Sequence, residues 1–424
     1  MISKGDVLKK HRKNRGKIEV VGRVEVETKE QLSTYYTPGV AYACLAIKDH
    51  KDSVYDYTMK GRTVAIVTDG TRILGLGNIG PEAGLPVMEG KSLLLKKFGG
   101  VDAVPLCINS TDENEIVSII KSVQPSFGAI NIEDIETPKC FRIVDRLKKT
   151  LDIPVFHDDR SGVGVVTLAA LLNALKLAGK SLKSSSIVIN GSGAAGTGIA
   201  ELLHYAGARN ICVADTAGLL YKGRKKDMNY MKERLASMTN KNMLKGDLDD
   251  AADGADVLIG VSTKNKFGKN LIKSMSDRPI VFALANPDPE IEYDDARRAG
   301  AFIVATGRSD TPNQVNNLLA FPGIIRGLLE ARARAIDEHM LLMAARKIAE
   351  SIGDDLSVEH IVPDPTDGMV VNKLAADVAA VIAETAAMRG LARVKVNGSK
   401  VRGNVAKSLK RYRNIERFIS KAVG

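Results

Sequence analysis

Two pairs of adjacent acids stand at the ends of apolar runs. One lies in Asn131-Ile132-Glu133-Asp134-Ile135 and the other, 25 residues further on, in Phe156-His157-Asp158-Asp159. In a continuing strand, neighbouring side chains point to opposite faces, so both members of a pair serve one site only where the strand stops and the chain turns. Ligands of an α/β sheet gather at the carboxyl ends of its strands, which draws Glu133, Asp134, Asp158 and Asp159 toward one place. Carboxylates that close do not all stay ionised without a cation. Three carboxylate groups with room for water and substrate suit Mg2+ or Mn2+, and the absence of a His/Cys cluster argues against zinc.

A second constellation begins at the β-branched run Ile187-Val188-Ile189 and continues as Asn190-Gly191-Ser192-Gly193-Ala194-Ala195-Gly196. A helical pattern follows, then a second strand-like run, Ile211 to Ala214, that ends in Asp215, 24 residues after Gly191. Strand, glycine turn, helix, strand and terminal acid together make a dinucleotide-binding unit. Gly191 allows the tight turn, Gly193 lets backbone approach the pyrophosphate, and Gly196 lets helix and strand pack closely. Ser192, Ala194 and Ala195 complete the turn, and the free N–H groups of the helix start attract phosphate. Asp215 favours the ribose diol of NAD. Lys222, Arg224, Lys225, Lys226 and Lys232 follow it and can meet a 2′-phosphate, so NADP is also allowed.

These residues need strands and helices to hold them. Val64 to Thr68, Ala103 to Leu106, Ala129 to Ile132 and Val155 to His157 read as buried strands. Between them run helical stretches at Gly90 to Phe98, Glu113 to Val123 and Lys139 to Lys149. Beyond the glycine turn, strands are expected at Val257 to Ile259, Ile280 to Leu284 and Phe302 to Ala305. Val370 to Met388 is a periodic, alanine-rich helix. The alternation predicts an α/β protein with three parts. An N-terminal α/β substrate and metal unit spans 1–158, a Rossmann-type doubly wound parallel sheet spans 159–390, and a helical C-terminal extension ends in a basic tail over 391–424.

Composition narrows the function classes. A chain of 424 residues is long for one core, and 44% hydrophobic with 26% charged residues describes a globular enzyme. Cys44, Cys107, Cys140 and Cys212 are scattered, with no C-x-x-C pair, and read as reduced thiols of a cytoplasmic protein. The start, Met1-Ile2-Ser3-Lys4, leads into charge rather than an apolar leader. Val163 to Ala178, interrupted by Thr167, Asn173 and Lys176, reads as a buried helix rather than a membrane span. The net charge of +11 is concentrated near both ends, but aromatics are only 4% and do not interleave with the cations, so nucleic-acid binding is not expected. The basic ends instead suit attraction of a dianionic substrate and a phosphate-bearing cofactor.

The segments Tyr35-Tyr36-Thr37-Pro38-Gly39-Val40, Thr68 to Lys91 (TDGTRILGLGNIGPEAGLPVMEGK), NIEDI, FHDD, NGSGAAG, Ala283 to Pro287 and Pro312 to Asn317, in this order and spacing, closely resemble the short-form malic enzymes over roughly residues 20–385. The resemblance implies oxidative decarboxylation of malate to pyruvate and CO2 with reduction of NAD(P). It matches Tyr36 to the general acid, Lys91 to the general base and Asp158 to the acid supporting that lysine. Glu133, Asp134 and Asp159 match the metal ligands. Asn286 and Asn317 match substrate-binding asparagines, with Asn286 also near the cofactor, and Arg72 matches a carboxylate clamp of longer members. A homodimer or higher homo-oligomer is implied, with malate as partner and no membrane.

By the same match, a desolvated lysine near a cation has its pKa tuned toward neutrality and can take the hydroxyl proton. Two departures stand out. Arg160-Ser161-Gly162-Val163 replaces the usual Gln-His-Gly-Thr, which is expected to alter nicotinamide or phosphate contacts, and Arg72 is often missing from shorter members. Two other readings share much of this pattern. One is a metal-dependent 2-hydroxy-acid dehydrogenase with another substrate, or a mainly oxaloacetate-decarboxylating enzyme. The other is a non-catalytic nucleotide-binding protein, which would have lost Lys91 or a metal carboxylate, and all are present.

Overall fold

Two parallel sheets carry the two constellations. The computed structural model describes residues 3–423. The first sheet has the order β2-β1-β3-β4, from β1 (Thr63–Thr68), β2 (Asp102–Cys107), β3 (Ala129–Ile132) and β4 (Val155–His157), all parallel. Because β2 and β3 lie on opposite sides of β1, the connections diverge between the ends of β1 and β3, the crevice where α/β sheets bind ligands. β1 and β3 are buried along their whole length, as the strands of a sheet covered on both faces must be.

The second sheet has the order β10-β9-β8-β5-β6-β7. Its strands are β5 (Ser186–Asn190), β6 (Asn210–Asp215), β7 (Gly218–Leu219), β8 (Val257–Gly260), β9 (Ile280–Ala283) and β10 (Ile303–Thr306). β6 and β8 flank β5, so the switch point falls at the glycine turn. The sequence gives no separate strand signal for β7, a two-residue antiparallel return held beside Asp215.

The helix Val163–Ala178 joins the sheets. With the turn before it, the stretch Asp158–Ala178 is apolar and long enough to pass for a membrane span by composition, yet most of it is buried in the core. The helix expected over Gly90 to Phe98 begins earlier, as Pro81–Leu94, because Pro81 fits a first helical position where no N–H is needed, and a π turn continues it to Gly99. The segment expected as a basic tail contains the helix Gly398–Val423. It is docked rather than loose, because Val401, Val405 and Leu409 are buried, Arg402 Nε donates to Asp377 and Asn404 Nδ2 donates to Glu330. Its basic residues occupy the solvent face of an amphipathic helix.

Candidate active site

Where β3 ends, Asp134 takes a left-handed backbone (φ 50°), so the two neighbouring acids turn away from strand alternation and stay on one side. Glu133 and Asp158 meet at Lys91, which the Pro81–Leu94 helix projects to them. The ammonium lies 2.8 Å from Glu133 Oε1 and also pairs with Asp158. The Phe321 ring sits 4.4 Å below the same nitrogen, a cation–π contact from the far half of the chain. Asn131 Nδ2 donates to Glu133 Oε2 at 2.8 Å, and Asn317 Nδ2 donates to Asp158 Oδ2 at 2.5 Å.

Asp159 stands on the other pair of elements. It accepts the Asp134 N–H at 2.9 Å and lies 3.6 Å from His157 Nε2, while His157 packs edge-on to Phe141.

Electrostatics follow from this burial. Desolvation, reinforced by the neighbouring acids, raises Glu133 well above the usual carboxylate range and pushes Asp134 up to about 7. Desolvation also raises Asp158 despite Lys91. Asp159 is lowered: its burial acts upward, but His157 and Lys91 outweigh it. Burial alone would lower Lys91, yet Asp158 and Glu133 more than offset it and hold the ammonium protonated. The expected tuning of Lys91 toward neutrality depends on a divalent cation engaging these acids; the two carboxylates by themselves bind the proton-bearing form.

The four acids come together only as two linked pairs. Among the described residues, no three of His, Cys, Asp and Glu are grouped to hold a metal ion as they stand. The donor set nonetheless fits a hard cation: Lys91 pairs with only Glu133 and Asp158, which leaves Asp134 and Asp159 without a cation, and Asp134 Oδ2 is buried without a hydrogen-bond partner. A buried oxygen left that way costs about 1–3 kcal/mol unless something binds it.

A separate brace fixes the loop ends. Lys139 lies 2.7 Å from Asp69, Thr71 Oγ1 donates to Asp69 Oδ1, and the Glu136 N–H donates to Thr71 Oγ1. Arg72 is exposed on this loop. Its N–H donates to the Asp134 carbonyl at 3.1 Å, and its charge favours the ionised Asp134. Two residues on, Gly75 packs against the Asn286 carbonyl after β9, so the two sheets' loops face each other there. Asn286 is exposed, with Nδ2 3.3 Å from the Leu284 carbonyl. Tyr36 differs in kind: it is 68% exposed, and its hydroxyl makes no hydrogen bond among the described residues.

The glycine turn has the geometry its spacing implies. Gly191 has φ 126°, a side chain on Gly196 would strike the Gly191 carbonyl, and Gly193 has open space around it. Ala194 and Ala195 open the helix Ala194–Tyr205. Asp215 is not a free carboxylate. Arg224 Nη1 donates to Oδ1 at 2.8 Å and Nη2 to Oδ2 at 2.5 Å, Lys232 is 2.8 Å from Oδ2, and the Ala217 N–H donates to Oδ1. Burial would raise its pKa, but these donors together lower it.

Arg160, the departure from the family pattern, packs against the dinucleotide helix. It is buried, donating from Nε and Nη2 to Glu201 Oε2 at 2.8 and 2.6 Å, with its guanidinium over Phe141. Sequence reasoning missed the glycines behind this arrangement. A side chain on Gly198 would strike the Arg160 carbonyl, and one on Gly162 would strike Asp158. The Asp158–Gly162 turn is thus wedged between Lys91 and the dinucleotide helix. Asn131, His157 and Phe321 were also missed, since each reads as core until its partner is placed.

Family models described as "Malic enzyme, N-terminal domain" and "Malic enzyme, NAD binding domain" match residues 13–115 and 161–387. A bifunctional malic/malolactic enzyme of Bacillus subtilis is 50% identical over 93% of this chain and 96% of its own. The NAD-dependent malic enzyme of Geobacillus stearothermophilus is 48% identical over 89% of this chain and 78% of its own. The crystal structure of malic enzyme from Pyrococcus horikoshii superposes with a TM-score of 0.94 at 43% identity, covering 98% of this chain and 99% of that one. With both sheets, the lysine among strand-end acids and the glycine turn in place, the chain belongs to the malic enzyme family, NAD(P)-dependent oxidoreductases that decarboxylate malate.

Proposed function

We propose that Lys91 is the proton acceptor and Tyr36 the proton donor of malate oxidative decarboxylation, with Glu133, Asp134 and Asp159 holding Mg2+ or Mn2+. The observation that carries this reading is the buried Lys91 ammonium between Glu133 and Asp158, facing acids whose charge it cannot balance alone. The dinucleotide, when bound, takes the hydride from C2, and the divalent cation would draw electron density from the substrate oxygen.

The rest falls to this chain's side chains. Lys91 in its neutral form accepts the 2-hydroxyl proton at Nζ. Asp158, fixed by Asn317, supports the ammonium that results. Arg72 and Asn317 orient the substrate carboxylates, and Asn286 borders both substrate and nicotinamide. Malate dianion becomes pyruvate, CO2 and a hydride on the dinucleotide, so no proton is released. The one taken by Lys91 replaces the one Tyr36 gives to C3.

Cofactor choice follows the Asp215 cluster. Asp215, at the end of the second strand of the dinucleotide unit, would accept hydrogen bonds from a ribose diol, and its pairing with Arg224 and Lys232 eases repulsion of a 2′-phosphate, which supports NAD with NADP tolerated. A substrate and metal unit over 1–158, a dinucleotide unit over 159–390 and a cytoplasmic setting belong to the same reading. The test is absorbance at 340 nm with malate, either dinucleotide, and Mn2+ or EDTA, with pyruvate assayed at the end. Pyruvate equal to the reduced dinucleotide is expected. Full turnover in excess EDTA would remove the metal from the account, and dinucleotide reduction without pyruvate would favour a simple 2-hydroxy-acid dehydrogenase.

A further inference from the structure

The acids after β4 are joined to the dinucleotide unit by a line of three charges, Arg160, Glu201 and Arg234. Arg160, next in sequence to Asp159, donates from Nε and Nη2 to Glu201 Oε2 at 2.8 and 2.6 Å. Glu201 belongs to the helix Ala194–Tyr205, which starts at the glycine turn, and its other oxygen lies 3.1 Å from Arg234 Nη2. Arg234 stands on the helix Tyr230–Met238, two residues after the Lys232 that pairs with Asp215. Both places where the chain would meet a dinucleotide, the glycine turn and Asp215, therefore bear on one carboxylate.

The inner half of this line is nearly dry. The side chains of Arg160 and Glu201 are 11% and 12% exposed, whereas that of Arg234 is 49% exposed. Separating a pair so far out of water leaves each charge uncompensated, so the two must move together. The Arg160 guanidinium lies over the Phe141 ring, and Phe141 meets His157 edge-on. His157 Nε2 is 3.6 Å from Asp159 Oδ2, the oxygen that accepts the Asp134 N–H. The backbone of Arg160 is pressed against the same helix, where Gly198 leaves no room for a methyl group. A planar cation held by two hydrogen bonds and a ring has little freedom to turn. A displacement of the dinucleotide helix thus reaches Asp159 by two routes, the turn itself and the Phe141–His157 stack.

We propose that Arg160 and Glu201 are positioning residues that couple the dinucleotide to the metal acids. A dinucleotide seated on the glycine turn and beside Asp215 fixes Glu201, and Glu201, through Arg160, sets Asp159 in place for the cation. This rests on the reading of Glu133, Asp134 and Asp159 as the metal ligands. Such coupling is reciprocal, so each ligand tightens the other by the same factor.

The test measures binding without turnover. Mn2+ is titrated into the protein with and without saturating NAD, free Mn2+ being read by electron paramagnetic resonance, and NAD is titrated by calorimetry with and without Mn2+. In the wild-type protein NAD should lower the Mn2+ Kd about tenfold, and Mn2+ should lower the NAD Kd by the same factor. Arg160→Gln and Glu201→Gln each keep a polar side chain and remove one charge, and should bring both factors to about one. Arg160→Lys keeps the charge but gives up the two-pronged geometry, and should retain part of the factor. An ion pair that only stabilises the fold would lower the thermal midpoint of these variants and leave the factor at its wild-type value, which overturns the proposal.

The outer end of the line gives a variant whose folding is not at stake. Arg234→Gln, at the half-exposed position, should lower the factor without abolishing it, and an unchanged factor there also counts against the proposal. Wild-type protein that binds no Mn2+ refutes the metal assignment. Wild-type protein that binds Mn2+ with the same Kd at every NAD concentration refutes the coupling alone.

Discussion

The switch points of the two sheets occupy the same topological position and have opposite chemistry. Between β1 and β3 the chain places charged side chains: Glu133 and Asp134 with Lys91 and, from β4, Asp158 and Asp159. Between β5 and β8 it places backbone, with Gly193 open to space and Gly191 within contact of the Val261 carbonyl. Bond-breaking at carbon needs groups that exchange protons and concentrate charge, which only side chains offer. Holding a pyrophosphate needs many N–H donors at close range, which side chains would obstruct. Substitutions should therefore separate cleanly, chemistry failing at the first point and affinity at the second.

The largest expected effect is at the first. Lys91→Ala should lower dinucleotide reduction by malate about 10² to 10⁴-fold in stopped-flow absorbance while leaving NAD affinity within a few-fold. A comparable loss of NAD affinity would mean that the two points are not chemically separate. Asp134→Ala removes the acid with the unpartnered oxygen. It should abolish the response to added Mn2+, measured as a titration of initial rate, again with NAD binding retained. An unchanged Mn2+ titration would remove Asp134 from the ligand set.

The boundary between the points is the Asp158–Gly162 turn. Gly198→Ala forces a methyl group onto the Arg160 carbonyl, with backbone on both sides unable to give way. Overpacking of this kind costs about 1–3 kcal/mol, visible as a lower thermal midpoint. The same shift would be passed to Asp158 through the turn, so kcat should fall and the KM for NAD should rise together. If only KM moves, the turn does not couple the two points.

Much of this was legible before any geometry. Strand runs such as Val64 to Thr68 and Ile187 to Ile189 are short, β-branched and bounded by turns, and the acid pairs and glycine turn are local patterns. What was not legible is long-range. Nothing near Lys91 announces Asp158, which lies 67 residues on, and Asn317 reaches the same carboxylate across 159 residues. Arg160 and Gly198 are unremarkable until the Ala194–Tyr205 helix packs on the turn. β7 is two residues long, below any periodic signal.

The smallest effect tests whether the second point is purely a matter of backbone. Asp215 is its one charged contribution, and that charge is shared with Arg224 and Lys232. A free carboxylate at this place would accept hydrogen bonds from the ribose diol and repel a 2′-phosphate. Here Arg224 holds both oxygens in a two-pronged pair, so repulsion is partly cancelled and a phosphate would find cations beside it. Arg224→Ala should release Asp215 toward the cofactor and remove one of those cations. The ratio of kcat/KM for NAD over NADP should then rise about tenfold, corresponding to about 1.4 kcal/mol. The opposite change, Asp215→Ser, should narrow the ratio. If Arg224→Ala lowers the ratio, Arg224 acts only as a structural clamp that keeps Asp215 in reach of the ribose.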